Sequence, residues 1–118
     1  MKYSYLLILP TLALFSCQST PGSEEDQAIA KERCKCMKPV LEINRKTERL
    51  MRQGEMEQVH ALFAQIERIN KEKESCEQNI VLKYGTIEGE KKAQIRQVMW
   101  KSCPDIARMI EQGEAMEQ

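Results

Sequence analysis

Apolar residues recur along this chain in steps of three and four, the spacing that lines one face of a helix. The clearest run is Val59, Leu62, Ile66, Ile69, Cys76 and Ile80, broken only by Lys73. Such a seam lets one helix pack along another. It predicts a helix from about Glu55 to Tyr84, closed by Gly85 as a left-handed C-terminal residue. Upstream, Ile29, Cys36, Val40, Ile43, Leu50 and Met51 keep one stripe on a long first helix. Ser23 caps its start, Glu24, Glu25 and Asp26 meet the positive end of its dipole, and Gln53-Gly54 stops it. Pro39 lacks a backbone donor and crowds the preceding turn, so a kink or restart is expected near Cys36 to Lys38. A third helix, Glu88 to Ser102, carries Ile95, Val98 and Met99 with Trp100 at the margin. Pro104 suits the first turn of a short fourth helix, reaching about Glu114 and burying Ile106, Met109 and Ile110. The expected fold is therefore all-α: three long helices in a small bundle plus a short C-terminal helix.

The N-terminus follows a different pattern. After Lys2, the run from Tyr3 to Ser16 is apolar, and the chain then turns polar at Gln18-Ser19-Thr20-Pro21-Gly22-Ser23. A secretory signal has a basic start, about 7 to 15 apolar residues and small residues at the cut. A membrane-spanning helix needs about 20 apolar residues, and here Pro10 and Thr11 interrupt a shorter run. The expected organisation is a signal peptide at 1–16, a tether at 17–23 and one helical domain at 24–118, since the remaining chain of about 100 residues suits one compact domain and is too short for two. The sequence has 18 basic and 18 acidic residues. Removing the segment that holds Lys2 leaves a net charge of about minus one, which does not recruit nucleic acid.

Four cysteines fall in the domain: Cys34, Cys36, Cys76 and Cys103. In an oxidising compartment an even count points to two disulfides. Folding the first two long helices back about Gly54 places Cys76 level with residue 32, close to Cys34 and Cys36. Folding the third back about Ile87 places Cys103 roughly 7 Å along the axis from Cys76, so all four gather at one end. Cys34 and Cys36 diverge by about 200° on a regular helix and must serve different neighbours. Cys36 lies in the main stripe and Cys34 at its edge near Leu41. The expected pairs are Cys36 with Cys76 and Cys34 with Cys103, although the exchange of partners stays open. Closing a loop of about 40 residues removes roughly 3 to 4 kcal/mol of unfolded-state entropy.

Other chemistry is thinly represented. Four thiolates could instead bind zinc or, with methionines, Cu(I). Structural zinc sites favour Cys-x-x-Cys hooks on turns, however, and Met37, Met51, Met99 and Met109 lie on or beside apolar stripes. His60 is the sole histidine and reads as a packed or boundary residue beside Val59 and Phe63. Glu42, Glu48, Glu67 and Glu72 stand near Lys and Arg at helical spacings, as solvated faces do. Tyr84 and Trp100 read as boundary packing. There is no phosphate loop, zinc-hydrolase helix or serine elbow, so no catalytic residue and no cofactor is assigned.

Two sets of residues carry a resemblance. Leu14-Phe15-Ser16-Cys17 resembles the lipobox of bacterial lipoproteins, with Phe15 bulkier than is usual at its position. The resemblance implies a diacylglycerol thioether on Cys17, cleavage before it and acylation of the new amino group. Gln18, in place of Asp, favours the outer over the inner membrane. The pattern Cys34-Lys35-Cys36 with Pro39, then Cys76 with Tyr84, then Cys103-Pro104, resembles small uncharacterised cysteine-containing helical lipoproteins of Gram-negative bacteria. That family implies no activity. The expectation is a lipid-anchored, non-enzymatic envelope protein, joined to the membrane through lipid on Cys17, with a protein-binding or envelope-structural role. The alternative is a periplasmic Zn- or Cu-binding domain built on the cysteine cluster.

Overall fold

A computed structural model describes residues 22–116, and every described element is an α-helix. The order is α1 (Glu24–Arg52), α2 (Met56–Ala61), α3 (Phe63–Tyr84), α4 (Gly89–Ser102) and α5 (Pro104–Met116). The all-α, disulfide-linked bundle expected from the apolar spacing is what forms. Ser23 caps α1 as its composition predicts: its hydroxyl accepts from the Asp26 backbone N–H at 3.1 Å. Arg49 and Arg52 sit in the last turn of α1, at the negative end of its dipole.

Two expectations about the course of the helices are corrected. First, α1 does not restart at Pro39 and continues as one helix from Glu24 to Arg52. The proline costs one intrahelical hydrogen bond, but Met37 and Ile43 are buried on either side of it, and their packing holds the helix together across the gap. Second, the long helix from Glu55 to Tyr84 is divided at Leu62. There the Leu62 N–H reaches the Val59 carbonyl at 3.0 Å, three residues back rather than four. This tightened turn keeps Val59 and Leu62, three apart, on the same buried side. The C-terminal helix starts at Pro104 as expected and runs for 13 residues, to Met116.

The helix α1 is the hub. It packs against all four other helices, whereas the backbones of α3 and α4 do not approach each other closely. The reason lies in its sequence: Ile29, Ala30, Cys36, Met37 and Ile43 are buried on α1, while Cys34 and Leu41 add a second apolar edge. One core cluster joins Ile29, Met37, Ile80, Ile95, Met99 and Ile106, drawing on α1, α3, α4 and α5. Ile29, Ile95 and Met99 are fully buried. A second cluster, Ile43, Leu50, Val59, Leu62 and Ile69, zips the far end of the α1–α3 hairpin, and Val40 touches both clusters. Met51, Met56 and Phe63 are exposed at that far end. Met51 is therefore not on the buried stripe; its neighbour Leu50 takes the core position.

The chain leaves α3 at Gly85, whose φ of 88° would strain any residue with a Cβ. It turns back so that α4 runs parallel to α1, with an ion pair from Glu25 to Lys91 near the start and the Cys34–Cys103 bond just past the end. The helix α5 folds back on α4 and is clipped to α1. Arg45 meets Asp105 at 2.7 Å, and the Asn44 amide donates to the Met109 sulfur at 3.3 Å.

Candidate functional site

The four cysteines are bonded in two pairs. Cys34 joins Cys103 with Cα atoms 6.2 Å apart, and Cys36 joins Cys76 at 5.6 Å. They close separations of 69 and 40 residues, which remove about 4 kcal/mol of unfolded-state entropy each on the chain-entropy model, taken singly. Their settings differ. Cys36 is buried in the main core, while Cys34 and Cys103 are half-buried and face a groove. The simple fold-back about Gly54 places Cys76 level with residue 32, yet its partner lies four residues further along α1. The turn at 53–55 and the tightened step at Leu62 shift the register by one helical turn, roughly 6 Å.

Three polar clusters join helix to helix: α1 to α3, α4 to α5 and α1 to α5. Tyr84 donates its hydroxyl to Glu32 at 2.6 Å, with Lys83 at 3.4 Å from the same carboxylate oxygen. The Tyr84 hydrogen bond, aided by Lys83, holds the Glu32 carboxyl below its usual value against the opposing effect of burial. The same contact raises the Tyr84 hydroxyl, because the phenol must stay protonated to donate. On the α4–α5 face, Arg96 forms a fork to Glu114 with both bonds at 3.0 Å and lowers that carboxyl. Trp100 donates its indole N–H to Glu111 at 2.9 Å. Where α5 starts, Arg45 and Arg108 flank Asp105, and the Arg45 hydrogen bond leads in holding it low. These carboxylates are matched to cations. Their arrangement links one helix to another.

The remaining expected residues can be placed. His60 is exposed, its ring 5.2 Å from Phe63, rather than packed or at a boundary, because the buried position on this turn belongs to Val59. Trp100 and Tyr84 are half-buried at the edge of the core. Among the described residues, no group of three or more His, Cys, Asp or Glu side chains is placed to hold a metal ion. No helix among them is long and apolar enough to cross a membrane. Cys17 and the apolar run before it lie outside the described residues.

One surface feature escaped the reading of the sequence. A groove of about 960 Å³ opens between α1 and the α4–α5 junction. Ala28, Leu41, Val98 and Ile106 give it apolar walls, and the Cys34–Cys103 disulfide crosses it. Lys31, Lys35 and Lys38 stand along one side and Lys101 on the other. The three α1 lysines recur at four- and three-residue steps, a signal visible in the sequence. Only the docking of α4 supplies Lys101 and the opposite wall. No protein family matches the chain, and no curated protein or solved structure does.

Proposed function

We propose that this chain is a lipid-anchored, non-enzymatic protein of the bacterial cell envelope, with the outer membrane favoured, whose stapled helical domain binds a protein partner or serves an envelope-structural role. The observation that carries the reading is the division of labour among the cysteines. Cys17 closes an apolar signal-like run, while Cys34, Cys36, Cys76 and Cys103 are bonded to one another. Disulfides of this kind belong to oxidising compartments such as the periplasm. Two or more acyl chains on Cys17 would anchor the chain stably without a spanning helix.

The test is metabolic labelling with a radiolabelled fatty acid, followed by membrane fractionation. The wild-type chain should carry label and sediment with membranes. Cys17→Ala should lose the label and leave the membrane fraction, and unchanged membrane association would sink the proposal. Intact mass before and after alkylation should find no free thiol in the oxidised domain. Four alkylatable thiols together with bound zinc or copper would favour a metal-binding domain instead.

A further inference from the structure

The lysine-rimmed groove lies beside the point where the tether enters the domain. Gly22 packs against α4: a Cβ on it would sit 3.0 Å from the Val98 methyl, and its φ of 115° suits only glycine. Its carbonyl accepts from the Gln27 side chain at 3.1 Å. Both Val98 and Gln27 line the groove. From Cys17 to Gly22 the chain can span about 18 Å at most. A lipid on Cys17 therefore keeps this groove close to the membrane surface.

Charge then narrows the occupant. Ion pairs engage Arg33, Lys83, Lys91, Lys92 and Arg96 elsewhere on the bundle and Arg45 at the groove's edge. Among the described residues, Lys31, Lys35, Lys38 and Lys101 form none, although the chain as a whole is neutral. The one carboxylate lining the groove, Asp105, is already held by Arg45 and Arg108. The groove thus presents lysines without an ion-pair partner above apolar walls, in a volume at the upper end of small-ligand sites. We infer that it seats an anionic phospholipid of the membrane that holds the chain, the lysines gripping the headgroup phosphate and the Val98, Leu41 and Ile106 walls taking the adjoining hydrocarbon. The inference rests on the anchored reading of Cys17. It makes the lipid an orienting contact: the acyl group tethers the domain, and the groove turns one face of it toward the bilayer.

The experiment uses the full lipidated chain on vesicles of phosphatidylcholine alone or mixed equally with phosphatidylglycerol. Flotation measures attachment, and an amine-reactive footprint read by mass spectrometry measures lysine exposure. Lys31, Lys35, Lys38 and Lys101 should label about fivefold more slowly on the phosphatidylglycerol vesicles, given what each surface lysine contributes beside anionic lipid. Lys46 and Lys71, away from the groove, should label equally on both. The double variant Lys35→Glu/Lys38→Glu should abolish the protection of Lys31 and Lys101 with helicity and both disulfides unchanged. Flotation on both vesicle types with equal labelling would overturn the groove proposal while leaving the anchor standing, and would hand the groove to an acidic protein partner. Flotation on the anionic vesicles alone, or on neither, would refute the anchor and with it the inference that rests on it.

Discussion

At the residue scale, stability concentrates in a few fully buried side chains. Ile95 is enclosed on α4 against the cluster from α1, α3 and α5. Ile95→Ala should cost about 3 to 4 kcal/mol through lost burial and an uncollapsed cavity, seen as a lowered urea midpoint with an unchanged slope. Substituting Leu82, which is exposed, should leave the midpoint where it is. The paired carboxylates set the response to acid. Glu32, Asp105 and Glu114 each titrate below their ordinary values of 4.5, 3.8 and 4.5 when folded. A depressed folded value means that their contribution is complete above the unfolded value and disappears as pH falls through the folded one. The urea midpoint should therefore stay level from neutrality to about pH 5 and decline below about pH 4.5. Because each of these side chains still meets solvent, Asp105 exposed and Glu32 and Glu114 half-buried, screening keeps the decline shallow. Tyr84→Phe removes the leading cause at Glu32, so the Glu32 carboxyl should titrate closer to 4.5 by carbon-detected NMR. An unmoved titration would refute the role given to the phenol.

At the scale of elements, local signals and tertiary packing compete along α1. The Ser23 cap is a local device, and Ser23→Ala should cost about 1 kcal/mol, with faster amide exchange confined to the first turn. Pro39 shows the opposite balance. Its ring opposes a helix that the neighbouring core holds intact. Pro39→Ala should consequently stabilise the domain by about 1 to 3 kcal/mol, since it restores a donor where the backbone is already helical. A lowered thermal midpoint in that variant would show that the proline shapes the bundle and is not merely tolerated. The helix starts and stops at Ser23, Gly85 and Pro104 were legible because capping and turn chemistry act within a few residues. The division at Leu62 was not. Its apolar spacing is the same for a continuous helix and for one tightened to hug a neighbour.

At the scale of the whole molecule, the two disulfides do different work. Cys34–Cys103 ties the start of α5 to α1 at the surface, while Cys36–Cys76 lies in the main core and fixes the register of the α1–α3 hairpin. Removing either pair as a double alanine variant should cost about 2 to 5 kcal/mol. The Cys36/Cys76 variant should lose more, because a buried cysteine leaves a hole as well as a freer unfolded chain. The measurement is the urea midpoint of each variant against the oxidised wild type. A larger loss for the Cys34/Cys103 pair would mean that loop length outweighs core packing here.

The apolar steps of three and four, the caps and the even set of cysteines were enough to call for a helical, cross-linked domain, because each acts through local geometry or simple counting. Tertiary packing alone chose α1 as the hub, carried it through Pro39, placed Leu50 rather than Met51 inside and left His60 in solvent. It alone brought Lys101 of α4 opposite Lys31, Lys35 and Lys38 across a groove. The physical reason is that a periodic stripe states which face of a helix is buried but not which helix buries it, and charges on two elements become one site only when their docking angle is set.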